Sequence, residues 1–172
     1  MLADGVGGFQ SGDLINVEIQ EPLEFIVDNT SECPPADFVT SFMPVFSDRL
    51  VDAFRRAGVD NFQTYRAILK NPETGETWSS YQVVNVLGLI ACADMVNSRY
   101  SVLMEPMCTF RRLVIDTKKA NGALFFRLLE SPEKIIVHDD VLDFMYTEDD
   151  DPIFEGVDFE PIKSSHNIKP KT

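Results

Sequence analysis

Between residues 47 and 58 the apolar side chains Leu50, Val51, Phe54 and Ala57 recur at the spacing of one helix face. Ser47 precedes Asp48, an N-cap followed by an acid suited to the positive helix end, Arg55 and Arg56 fall in the last turn, and Gly58 stands where a helix stops. Residues 62–69 (FQTYRAIL) alternate instead, with Phe62, Tyr65, Ala67 and Leu69 competing for the inner face, and residues 78–87 carry Trp78, Tyr81, Val83, Val84 and Val86. Between them, Pro72 presets φ and Gly75 supplies φ > 0, so the two runs read as a hairpin. Residues 17–27 read as one or two short strands interrupted by Pro22, and residues 28–36 (DNTSECPPA) as a loop. Residues 88–96 are short and apolar, and fit either strand or helix.

Further strands are expected at 110–115, 124–129 and 134–137, with Asn121-Gly122 and Ser131-Pro132 as the punctuation between them. Asp139 and Asp140 open a short helix with Val141, Leu142 and Met145 on its apolar side, and residues 153–162 read as a last strand. Strands dominate without alternating with helices, which predicts a single α+β domain with a mixed or mainly antiparallel sheet and a few packed helices. The expected organisation is a poorly defined N-terminal segment with short strands (1–35), the α+β domain (36–162) and a flexible tail (163–172).

Composition supports a packed core: 172 residues, 44% apolar, with 13 Phe. The formal charge of −13 argues against nucleic acid and anionic membranes as partners and favours a basic protein, whose field would steer encounter. The 14 N-terminal residues lack the basic and apolar regions of a signal peptide, and the longest apolar stretch, 83–96, is interrupted by Asn85, Gly88 and Asp94. Cys33, Cys92 and Cys108 are odd in number and widely spaced, as suits free thiols in a reducing cytoplasm.

Chemistry-bearing motifs are sparse. The GVGGF of residues 5–9 lacks the Lys-Ser/Thr of a phosphate loop. His138 and His166 are far apart, and residues 148–151 lack the spaced ligands and central Gly of a calcium loop, so no cofactor or metal is expected. A small hydrolase would have to use Cys108 or His138 at a site without a sequence motif. The charge pattern says more. Ten of the 28 acids lie in residues 139–160: Asp139, Asp140, Asp143, Glu148, Asp149, Asp150, Asp151, Glu155, Asp158 and Glu160. No Lys or Arg interrupts them, and Phe144, Tyr146, Phe154 and Phe159 are interleaved. An acidic face with aromatic anchors suits a basic protein partner, unless the aromatics point into the core or Arg99, Arg111, Arg112, Lys118 and Lys119 neutralise the acids internally.

The chain also resembles a known family. The helix ending in Ala57-Gly58-Val59-Asp60-Asn61-Phe62, the strand with Tyr81 and Asn85-Val86, Asp94 and Ser98, Leu113-Val114-Ile115-Asp116, Leu124-Phe125-Phe126-Arg127 and Ile135-Ile136-Val137-His138-Asp139 are similar to the family-eleven immunity proteins of bacterial polymorphic-toxin systems. The likeness runs over residues 37–162 and consists of structural signatures rather than a catalytic motif. It implies a cytoplasmic, non-enzymatic inhibitor of a cognate toxin, able also to pair with itself. The likeness carries over no interface residue; Asp94 and Ser98 read as fold determinants. A self-assembling structural or regulatory subunit remains the other non-enzymatic reading.

Overall fold

The computed structural model describes residues 8–39, 43–149 and 151–165. Strands β1 (Leu23–Ile26), β2 (Phe38–Val39) and β3 (Val45–Ser47) lead into helix α1 (Asp48–Arg56). The hairpin β4 (Phe62–Lys70) and β5 (Thr77–Val86) follows. Then come β6 (Leu89–Ile90), β7 (Arg99–Met104), β8 (Met107–Arg112), β9 (Val114–Ile115) and α2 (Thr117–Ala120). The described chain ends with β10 (Phe125–Leu128), β11 (Ser131–Val137), α3 (Asp139–Leu142) and β12 (Lys163–Ser164). The fold is α+β, as the pattern predicts.

Helix α1 is determined locally. The Ser47 hydroxyl accepts from the Leu50 N–H at 3.2 Å. At the other end Gly58 takes φ +84°, the Val59 N–H reaches the Phe54 carbonyl and the Gly58 N–H reaches that of Arg55, both at 3.0 Å. This pair of bonds is a Schellman motif, and its apolar partners Phe54 and Val59 are both buried in the main core. The β4–β5 turn is equally local: the Asn71 side chain accepts from the Glu73 and Thr74 N–H groups at 2.8 and 3.1 Å, and Gly75 takes φ +76°.

Five strands form the principal sheet in the order β1-β4-β5-β3-β2, with β1 parallel to β4 and the other neighbours antiparallel. Alternation in β5 and β3 divides its two faces. Val83 and Val45 join Ala67, Leu69 and Tyr81 beneath Phe9 and Ile15, while Val84, Val86 and Phe46 pack with α1. The N-terminal residues thus cover one face of the sheet. The Ile15 N–H donates to the Gln63 side chain at 2.8 Å, whose amide donates back to the Ile15 carbonyl at 3.1 Å.

A second sheet, β11-β10-β6, meets α1 through Phe125, whose ring centroid lies 4.6 Å from that of Phe54. The Asn61 amide joins the two sheets, donating to the Leu87 and Phe125 carbonyls, each at 2.6 Å. The ambiguous 88–96 stretch becomes the short β6 and then a turn. There the Asp94 carboxylate accepts from the Val96 and Asn97 N–H groups at 3.1 Å, and the Ser98 hydroxyl accepts from the Val114 N–H at 3.0 Å.

Two strand assignments change. The 110–115 strand is divided at Leu113 into β8 and β9, and β8 pairs with β7 in a two-stranded ribbon that the apolar pattern does not mark. Residues 153–162 form no strand, because their hydrogen bonds go elsewhere. The Glu155 N–H donates to the Asp37 carboxylate at 2.8 Å and its carbonyl accepts from the Asp37 N–H at 2.9 Å, after which Gly156 turns the chain at φ +69°. Lys163 and Ser164, the first residues of the expected tail, pair with Val114 and Ile115 as β12.

Candidate functional site: an acidic cleft

Three elements build the cleft. Strand β11 supplies one wall. The chain leaves it at His138, whose Nδ1 accepts from the Asp140 N–H at 3.2 Å and so caps α3. Val141 and Met145 are buried in the main core, which fixes α3 and turns Leu142 and Asp143 towards the opening. The returning segment 158–164 is held by the β12–β9 pairing and forms the facing wall.

The cleft is open to solvent along one side and has a volume of about 1050 Å³. Phe126, Ile136, Leu142, Tyr146, Phe159 and Ile162 give it an apolar lining, with the Tyr146 and Phe159 rings 6.3 Å apart. Five carboxylates also line it: Asp139, Asp143, Glu148, Asp158 and Glu160. They share the cleft with Lys134, Lys163 and His138. Asp140, Asp149 and Asp151 are exposed but lie outside the lining, and Asp150 lies outside the described residues. Glu155, also exposed, has its backbone held by Asp37.

Among the described residues, none of the carboxylates lining the cleft makes an ion pair with a Lys or Arg. Among the described residues, the Lys and Arg ion pairs join Arg49 to Asp37, Arg55 to Asp52, Arg66 to Glu21 and Lys70 to Glu24, all away from the cleft. Within the acidic segment, His138 Nδ1, which accepts the Asp140 N–H, also lies 3.5 Å from the Asp140 carboxylate. Arg99, Arg111, Arg112, Lys118 and Lys119 make no ion pair with it among the described residues.

The interleaved aromatics divide. Phe154 is buried in the main core beneath the Arg49 guanidinium, which sits 5.3 Å from its ring centroid, whereas Tyr146 and Phe159 line the cleft and Phe144 is exposed. Sequence spacing marks the acids but not the groove, because the groove is made by pairings between distant segments such as β9 with β12.

Among the described residues, the two candidates for covalent chemistry, Cys108 and His138, are not hydrogen-bonded to each other. The Cys108 thiol contacts the Pro106 carbonyl at 3.6 Å, and His138 is engaged as a helix cap. Burial and the nearby Glu130 and Asp116 push the Cys92 thiol up to about 12, leaving it protonated and inert. Among the described residues no three His, Cys, Asp or Glu side chains converge as metal ligands. No described helix is long and apolar enough to cross a membrane.

A search of curated proteins finds no match. The model of an immunity protein family, Imm11, matches residues 2–164.

Proposed function

The chain belongs to the Imm11 immunity protein family, and from that premise we propose that it binds and neutralises a cognate toxin by occupying a basic surface, with no chemistry of its own. The observation that carries this reading is the cleft. Its five carboxylates are free of Lys and Arg ion pairs among the described residues, and they surround an apolar lining. A basic segment carrying an apolar or aromatic anchor would fill the lining, while its Lys or Arg side chains met the rim. Asp140, Asp149, Asp150 and Asp151 extend the same negative field outward and would act on the rate of encounter more than on the docked contacts.

Such a protein would work in the cytoplasm, where the toxin acts, and would bind neither nucleic acid nor membrane. The decisive test is association with the toxin encoded by the neighbouring gene. Reversing Asp139, Asp143 and Asp158 to Lys should slow association by about tenfold or more at low salt, flatten its salt dependence and abolish protection on co-expression. Unchanged association and protection in a folded triple variant would remove the cleft from the interface.

A further inference from the structure

Among the described residues, the β7–β8 ribbon is covered on one edge only. Strand β8 lies against the β10–β11 turn, where the Cys108 N–H donates to the Glu130 carbonyl at 2.6 Å and the Cys108 carbonyl accepts from the Ser131 hydroxyl at 3.2 Å. Among the described residues, β8 is the only strand paired with β7. Every residue of β7 is exposed, Val102 by 54%, Leu103 by 72% and Met104 by 64%. Apolar side chains on an open strand edge are what monomeric proteins ordinarily avoid.

The hydrogen bonds of Cys108 fix which backbone groups face that edge. Both its N–H and its carbonyl point away from β7, so the directly opposed pair Val102–Cys108 is a non-hydrogen-bonded pair. Val102 therefore aims its own N–H and carbonyl away from β8, at the open side. Tyr100, two residues earlier in the same register, does likewise.

The sequence of this edge is complementary to itself. Reading Arg99-Tyr100-Ser101-Val102-Leu103-Met104-Glu105 against a second copy in the antiparallel sense, centred on Val102, sets Arg99 beside the other copy's Glu105 and Tyr100 beside its Met104. Neither Arg99 nor Glu105 has an ion-pair partner among the described residues of its own chain. We infer that two copies of this chain associate through antiparallel β7–β7 pairing about a twofold axis at Val102, giving a four-stranded sheet β8-β7-β7-β8 with an Arg99–Glu105 pair at each end. The interface is isologous and therefore closed. A two-stranded ribbon is marginal alone, and four strands relieve that. Register shifts between Arg99 and Tyr100 and at Leu103 limit the regular ladder to the few residues around Val102 and leave the Arg99–Glu105 pairs as side-chain contacts at its ends, so the dimer forms in a concentration-dependent way. The inference is independent of the toxin reading, since β7 contributes nothing to the cleft lining.

Sedimentation of the purified full chain over a concentration series tests it. The expected result is reversible conversion from 19.4 kDa to twice that mass. Val102→Pro removes the outward N–H at a place where an edge strand tolerates proline, and should leave a folded monomer. Arg99→Glu and Glu105→Arg should each weaken the dimer, and the double variant or an equimolar mixture of the two single variants should restore it. In a Cys33→Ser background, Val102→Cys should cross-link two chains on mild oxidation, because opposed hydrogen-bonded residues stand about 5.5 Å apart, within disulfide reach. A chain that stays monomeric at all concentrations, or a dimer indifferent to Val102→Pro and to both charge reversals, overturns the inference. So does a monomer whose toxin binding is lost with Val102→Pro, which would assign the edge to the toxin. Protection on co-expression should survive Val102→Pro, so the two proposals fail separately.

Discussion

Asp37 is 5% exposed and holds three parts of the chain together. Its carboxylate accepts from the Ser47 hydroxyl at 2.5 Å, from Arg49 through two nitrogens, and from the Glu155 N–H at 2.8 Å. Burial alone would raise its pKa, but the hydrogen bonds from Arg49, Ser47 and Glu155 outweigh burial and hold it below the ordinary carboxylate value of 3.8. A carboxylate lowered in the folded state contributes stability above its unfolded pKa and loses it as pH falls through the folded one. Asp37→Asn should therefore cost about 2–3 kcal/mol in urea unfolding at neutral pH. Its deficit relative to the parent should shrink below about pH 4. Arg127 is the opposite case. It is 1% exposed, donates to the Pro132 carbonyl at 2.8 Å, and among the described residues leaves Nε and Nη2 without a partner; burial lowers its pKa. Arg127→Met, which keeps the volume and removes the buried charge, should be neutral or stabilising by about 1 kcal/mol in the same assay.

At the scale of elements, the two glycine turns at Gly75 and Gly156 separate conformational freedom from space. Both have φ near +70°, yet a Cβ on Gly75 would meet nothing within 4 Å, whereas one on Gly156 would stand 2.7 Å from the Ala36 Cβ and 3.3 Å from the Phe38 carbonyl. Gly75→Ala should cost about 1 kcal/mol, the strain of the left-handed backbone. Gly156→Ala should cost clearly more and loosen the segment that carries Asp158 and Glu160, measurable as faster amide exchange there. The same contrast explains what the sequence discloses. Helix α1 and the β4–β5 turn are legible because Ser47, Gly58, Asn71 and Gly75 act on neighbours a few residues away. The 153–162 stretch reads as a strand, but its outcome is set by Asp37, 118 residues from Glu155, which no local pattern announces. Ribbon β7–β8 escapes the apolar pattern because β7 has no buried face. The acids of the cleft are visible as a charge run, and their grouping around Tyr146 and Phe159 only after α3 and β12 are in place.

For the whole molecule, the principal sheet is buried on both faces, and one cover is the N-terminal segment. Phe9 and Ile15 close over Val83, Leu69 and Tyr81, the Phe9 ring packs edge-on against Tyr65 at 5.7 Å, and the Asn85 amide donates to the Asp13 carbonyl at 2.9 Å. None of these contacts touches the cleft, which lies by the second sheet. Removing the residues before Leu23 would expose that face. Burying one Phe and one Ile is worth about 1.5–3 kcal/mol each, together a large share of the roughly 5–15 kcal/mol that holds a domain folded. A chain beginning at Leu23 should therefore unfold at markedly lower urea and bind a hydrophobic dye, while Ile15→Ala should cost about 2–4 kcal/mol and keep the fold. Toxin association of folded Ile15→Ala should match the parent's, since the cleft is untouched. An unchanged midpoint in the truncated chain would show that this face needs no cover, and the sheet would then have to be stable with Tyr65, Leu69 and Val83 open to water.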